Sequence, residues 1–201
     1  MVFQQRANDL FVVRVAGNGL GTGCLGSLRY AAGNFADSLR LVLVLGHSQC
    51  GAVSAAVDAF LKPKNYLPLA ANYPLRAIVD SILVAVRTAS MALESAHGPD
   101  VVRQPGYRAA LVEVSVAVNA ALAAFALQQE LGTRRCRVVF GAYDLASRLV
   151  RLPLAPPGRS GEPEIGLLDA HTAEDEFRRL VTRLAGSGAV AELLPAGHRR
   201  R

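Results

Sequence analysis

Leu43-Val44-Leu45-Gly46-His47-Ser48-Gln49-Cys50-Gly51-Ala52-Val53 is the stretch that decides how the chain is read. It closes the run Leu39 to Leu45 (LRLVLVL), whose Val and Leu residues read as a strand covered on both faces. Gly46 ends the run, and Ala52 to Leu61 reads as a helix. Between them the chain offers an imidazole, His47, and a thiol, Cys50. His47 stands at the C-terminal tip of the strand, the edge at which open α/β sheets bind ligands. Cys50 falls at the start of the next helix, where unpaired N–H groups and the helix dipole favour a thiolate. A thiolate and a neutral imidazole are good zinc ligands, although a zinc site takes at least three protein ligands. The same spacing also describes a buried Cys beside a hydrogen-bonded His in a strand–helix turn.

Outward from this stretch, Leu10 to Val15 (LFVVRV) is apolar and β-branched and predicts a buried strand. A Gly-rich loop from Gly17 to Gly26 and a short helix from Ser27 to Phe35 follow. Pro63, Pro68 and Pro74 mark a structured loop, and Leu75 to Glu94 is helical in period. After a loop from His97 to Gly106, Tyr107 to Leu131 reads as a long helix that is apolar on most faces, to be covered by another element or subunit. Val138 to Tyr143 is a further strand, and Leu149 to Leu152 an edge strand. Thr172 with Asp175 resembles a capping box opening a last helix to about Leu184. Strands alternating with helices imply an α/β fold with a parallel, doubly wound sheet. We divide the chain into a domain over 1–152 and, over 153–201, a linker (Pro153 to Pro163), a C-terminal helix and a basic tail.

The 201 residues suit one domain with a short appendage, and 51% of them are hydrophobic, enough for a sizeable core. The formal charge of +6 is concentrated in the Arg134-Arg135-Arg137 cluster and the tail from His198 to Arg201. With no basic helix and no Trp, the charge reads as solubility, and no nucleic acid is expected as a partner. Glu113 within the apolar run Ala109 to Leu127 would be costly in a bilayer, so no membrane span is expected. Three widely spaced cysteines and a polar N-terminus predict a reducing, cytoplasmic setting.

Gly46-His47-Ser48-x-Cys50-Gly51-Ala52-Val53 resembles the second zinc motif of the β-class carbonic anhydrases. Asp9-Leu10-Phe11-Val12-Val13-Arg14-Val15-Ala16-Gly17-Asn18 resembles that family's strand and Ala-Gly-Asn turn, and Gly26-Ser27-Leu28-Arg29-Tyr30-Ala31 its next helix. Gly141-Ala142-Tyr143-Asp144 resembles the end of its last core strand, preceded by a helix bearing Asn119. The resemblance covers roughly residues 3–152 and implies a parallel central sheet flanked by helices. It implies a carbonate dehydratase, a lyase that hydrates carbon dioxide reversibly to bicarbonate on Zn2+, as a homodimer or higher homo-oligomer. His47 and Cys50 become two zinc ligands, and Gly51 a residue shaping the substrate pocket. The family's other signature, Cys-x-Asp-x-Arg, supplies a further Cys ligand and an Asp–Arg pair, and this chain has no counterpart. Val2-Phe3-Gln4-Gln5 resembles the end of the loop that follows it, so the expectation is a longer natural product and weak or absent activity in this chain alone. The strand that carries the signature is expected to leave an unfilled slot between Leu10–Val15 and Leu39–Leu45. The strands could also close up, or another chain could fill the slot.

Other candidates weigh less. Cys24 lies where the family uses no metal ligand, Cys136 reads as a small buried residue, and His97, His171 and His198 read as solvated. The Pro63–Pro74 loop, with Tyr66 and Tyr73, reads as a surface connection. Gly21-Thr22-Gly23-Cys24-Leu25-Gly26 matches G-x-G-x-x-G, but the acidic residue expected at the end of the next strand is missing. A rival of a different class is a non-catalytic binding or oligomerisation module on the same fold.

Overall fold

The computed structural model describes residues 3, 5, 6, 8–132, 136–152, 154 and 166–194. Val2, Gln4, the Arg134–Arg135 pair, the expected linker apart from Leu154, and the tail from His198 lie outside the described residues.

Strands β1 (Leu41–His47) and β2 (Arg137–Tyr143) pair in parallel, from Leu41 opposite Arg137 to His47 opposite Tyr143. Their connection carries the helices α2 (Gly51–Leu61), α3 (Tyr66–Ala70), α4 (Tyr73–His97) and α5 (Tyr107–Leu131). This long crossover is what a parallel pair requires. Two short strands, β3 (Val150–Arg151) and β4 (Leu168–Asp169), add to β2 antiparallel. The expected α/β architecture with a parallel centre is therefore present, with antiparallel additions at one edge.

Helix α5 packs across β1 and β2, with α4 against it. By length and composition α5 could cross a membrane, but 67% of its most apolar window is buried inside the protein. Its approach to the sheet is close: a Cβ on Gly46 would lie 3.3 Å from Val116 Cγ1. The buried Gln128 joins the end of α5 to the start of β2, donating to Gly132 O (3.3 Å) and accepting from Val138 N–H (3.2 Å). Helix α4 is capped by Asn72, whose side chain accepts from Leu75 N–H (3.4 Å), and stops at Gly98 with φ +84°.

Helices α6 (Glu174–Ala185) and α7 (Gly188–Leu193) pack against the same body, burying Leu180, Leu184 and Val190. The capping box expected at Thr172 is shifted. Ala173 is the N-cap and makes no side-chain cap, while Thr172 N–H donates to Glu176 Oε2 (3.3 Å). Three acidic residues in the first turn complement the dipole, and Arg178–Glu174 and Arg179–Asp175 pairs run along the helix.

The N-terminal expectations need correction. Leu10 to Val15 forms no ladder, and Leu10, Phe11 and Val12 are exposed. A strand is stabilised by pairing, and none of the described residues pairs with this one. Helix α1 (Thr22–Asn34) begins five residues before the expected Ser27, absorbing half of the Gly-rich loop, and buries only Ala31. Phe11 meets Phe35 with the rings tilted (centroids 5.9 Å apart), and Phe35 in turn meets Tyr30 edge-on. On the side away from β2, no described strand pairs with β1, so the expected slot is not closed by a new pairing.

This contrast predicts opposite outcomes for two phenylalanines. Phe140 is fully buried, so Phe140→Ala should cost about 3–5 kcal/mol in urea unfolding. Phe11 is 48% exposed, so Phe11→Ala should cost less than about 1 kcal/mol.

Candidate functional site

His47 is the last residue of β1, and Cys50 is the N-cap of α2. The turn between them passes through Gln49 at φ +57°, in the left-handed region. It opens onto a cleft of about 260 Å3 whose lining includes His47, Cys50, Gly51, Gly17, Val116 and Asn119. All three residues picked from the sequence thus share one cleft. Nothing lies within 4 Å of a Cβ built on Gly51, so a methyl group there would meet no neighbour.

The imidazole has a defined orientation. His47 Nδ1 lies 3.0 Å from the carbonyl oxygen of Ser48, which can only accept, so Nδ1 carries the proton. The lone pair is then on Nε2. An imidazole oriented in this way by a backbone carbonyl is the usual arrangement of a metal-ligating His. Cys50 is buried, 7% exposed.

The opposite wall is built by Gly17. Its φ of +62° favours glycine, and a Cβ there would lie 2.5 Å from Ile82 Cδ1, so that side chain would have to shift. Asn119 on α5 donates from Nδ2 to Gly17 O (2.8 Å), tying this turn to the core.

Behind the cleft, the ends of β1 and β2 are stitched together. Ser48 N–H donates to Tyr143 O (2.9 Å). Ser48 Oγ donates to Asp144 Oδ1 (3.1 Å) and accepts from Leu145 N–H (2.9 Å). Asp144 also accepts from Ala146 N–H, Ser147 N–H and Ser147 Oγ (2.6 Å), and pairs with Arg151 (2.9 Å). The Ser147 hydroxyl above all, helped by the two amides and Ser48, holds its carboxyl down at about 2 despite partial burial. Burial pushes the nearby Glu113 carboxyl up, and Arg151 opposes the rise. Sequence reading did not single out this network. Its available signal was the Ser between His47 and Cys50, matched by Asp144 one residue beyond the paired strand.

The remaining candidates lie elsewhere. Cys24 sits in α1 and does not line the cleft, and burial raises its thiol above the ordinary range. Cys136 is buried, as expected. His97 and His171 are not simply solvated. His97 ends α4, and its Nε2 donates to Ala185 O (2.7 Å). His171 packs edge-on against Phe140, and burial lowers its pKa. Gly21, Gly23 and Gly26 have open space around them and follow no strand, so the dinucleotide reading finds no support. Tyr66, which donates to Asp80 Oδ1 (2.8 Å), and Tyr73 do not line the cleft either.

A family model described as carbonic anhydrase matches residues 1–150. The chain belongs to the β-class carbonic anhydrase family. Among curated relatives, carbonic anhydrase 2 of Mycobacterium tuberculosis is 44% identical over 59 residues, and a carbonic anhydrase of Mycolicibacterium smegmatis is 42% identical over the same length. The matched stretch covers 29% of this chain and 28% of each relative, so the match spans under a third of those carbonic anhydrases. No solved structure matches significantly. Among the described residues, no group of three His, Cys, Asp or Glu is placed to hold a metal ion.

The depressed carboxyl of Asp144 gives a pH prediction for this carbonic anhydrase chain. A folded-state pKa below the ordinary 3.8 contributes stability that is present above that value and lost as pH falls towards about 2. Asp144→Asn should therefore lower the urea midpoint at near-neutral pH, and the gap to the wild type should shrink on acidification. A gap independent of pH would contradict the assignment.

Proposed function

We propose that this chain carries the carbon dioxide hydration site of its family in incomplete form, with His47 and Cys50 as zinc ligands and Gly51 at the substrate pocket. The observation that carries the reading is the His47 ring, whose Nδ1 proton is engaged by Ser48 O and which lines one cleft with Cys50. Zinc is the metal that an imidazole and a thiolate suit, and in such a site it lowers the pKa of bound water to about 7. The donors present match zinc in kind and fall short in number, since a catalytic site takes three protein ligands. This chain alone is accordingly a weak or inactive carbonate dehydratase. What its own residues supply is a small cleft with apolar walls from Val15, Ala52, Val53 and Val116, suited to carbon dioxide and bicarbonate.

Elemental analysis of the purified chain should find well under one zinc per chain, falling further in His47→Ala and Cys50→Ala. Stopped-flow carbon dioxide hydration should stay close to the uncatalysed rate. One zinc per chain that neither substitution reduces would remove His47 and Cys50 from the site.

A second reading is favoured by a specific surface. Leu10, Phe11, Val12, Tyr30 and Phe35 are exposed, with Phe35 in ring contact with both Phe11 and Tyr30, and no described strand covers the other edge of β1. An apolar patch with an open strand edge marks an association surface. On this reading the chain is an oligomerisation module, and its partner is a second copy of itself. Sedimentation across a range of concentrations should show a dimer or larger species that Phe11→Asp and Val12→Asp dissociate. A monomer at all concentrations would eliminate the module.

A further inference from the structure

The turn that carries both candidate ligands is not stable on its own account. Gln49 sits at φ +57°, a conformation that is unfavourable for a non-glycine residue. Such a residue persists only where its surroundings over-determine it. The residue before it, Ser48, supplies that constraint through its bonds to Tyr143, Asp144 and Leu145, all from the end of β2.

Asp144 is the fixed point of this set. Its carboxylate accepts from Ala146 and twice from Ser147 and forms an ion pair with Arg151, so it cannot turn away from Ser48 without breaking them. Its backbone is held as well. Asp144 N–H donates to Leu149 O (2.9 Å), and Arg148 N–H donates to Asp144 O (2.8 Å). The Ser48 carbonyl that orients His47 belongs to the residue whose hydroxyl Asp144 holds. Loss of the hydroxyl leaves the N–H bond to Tyr143 O as the remaining tie on Ser48, so the peptide that presents its carbonyl to the Nδ1 proton of His47 is held less tightly.

We propose that Asp144 is a positioning residue for the His47–Cys50 turn, acting through the Ser48 hydroxyl to keep the lone pair of His47 on Nε2. The proposal rests on the metal-ligand reading of that turn for its purpose, and on the hydrogen bonds alone for its mechanism. Asp144 lines no part of the cleft and touches no reacting group.

The test uses the full chain, stripped of metal, with the ring nitrogens of His47 followed by 15N NMR above the ordinary imidazole pKa of about 6.5. The wild type should show the Nδ1–H tautomer. Ser48→Ala and Asp144→Ala should move it to the Nε2–H form that an unconstrained imidazole prefers, and Asp144→Asn, which retains an oxygen acceptor for Ser48, should not. Retention of Nδ1–H in both alanine variants overturns the proposal, as does an Nε2–H wild type. If Asp144→Ala fails to fold, Ser48→Ala, which removes a single hydroxyl, decides alone. Cobalt(II) titration of the same proteins separates this idea from the metal-ligand reading. Both alanine variants should bind cobalt(II) about 10–100-fold more weakly. A wild type that keeps the Nδ1–H tautomer, and whose cobalt(II) uptake neither His47→Ala nor Cys50→Ala reduces, sinks the metal-ligand reading and leaves the positioning role standing. Unchanged affinity through His47 and Cys50 in Ser48→Ala and Asp144→Ala does the reverse.

Discussion

The parallel pairing of β1 with β2 is the constraint on which the rest of this molecule depends. Its register sets His47 opposite Tyr143, and so brings the residue after each strand, Ser48 and Asp144, within hydrogen-bonding distance. A slip of one residue would turn the side chains of β1 to the other face of the sheet. It would also remove Gly46 from the point where α5 comes closest, and put a side chain against Val116. Register, helix packing and the turn carrying both candidate ligands are thus one linked arrangement.

The two edges of that pair are treated differently. The β2 edge is completed by β3 and β4, and Val138, Val139 and Phe140 are buried. The β1 edge has no strand beside it among the described residues, and Leu41 is exposed. The apolar residues from Leu10 to Val15, which by composition belong in a sheet, lie exposed nearby with α1. The open edge of β1 and the cleft that holds His47 and Cys50 occur in the same part of the molecule. The cleft lies between the open side, represented by Ala16–Asn18, and the well-packed side, represented by Val116 and Asn119.

Membership in the carbonic anhydrase family does not depend on a group of three metal ligands among the described residues. Family likeness is carried by the strand–turn–helix stretch and by the fold around it, both of which this chain possesses. Catalysis by zinc needs one more donor than that stretch contains. The hydrogen-bonded frame of the turn is complete even so. Ser48 Oγ is bonded to Asp144 Oδ1, and Asn119 Nδ2 to Gly17 O.

By itself the sequence determined the elements whose pattern is local. The apolar run ending at Gly46, the helix from Tyr107 to Leu131 and the strand before Tyr143 were all legible, because each is a continuous hydrophobic stretch, although β1 is only partly buried. His47, Cys50 and Gly51 were legible as a group because they are contiguous. Leu10 to Val15 was misread for the complementary reason: a strand needs a partner, and composition records only the readiness to pair. The start of α1 was missed because its glycines suggested a loop, and the box at Thr172 because a cap depends on backbone geometry one residue away. Only the tertiary structure decided that Gly17 and Asn119 meet across the cleft. It alone joined Ser48 to Asp144, residues 96 apart in the chain that become neighbours through strand pairing. Long-range contacts of this kind leave no periodicity in a sequence, since each partner satisfies only its own local geometry until the sheet forms.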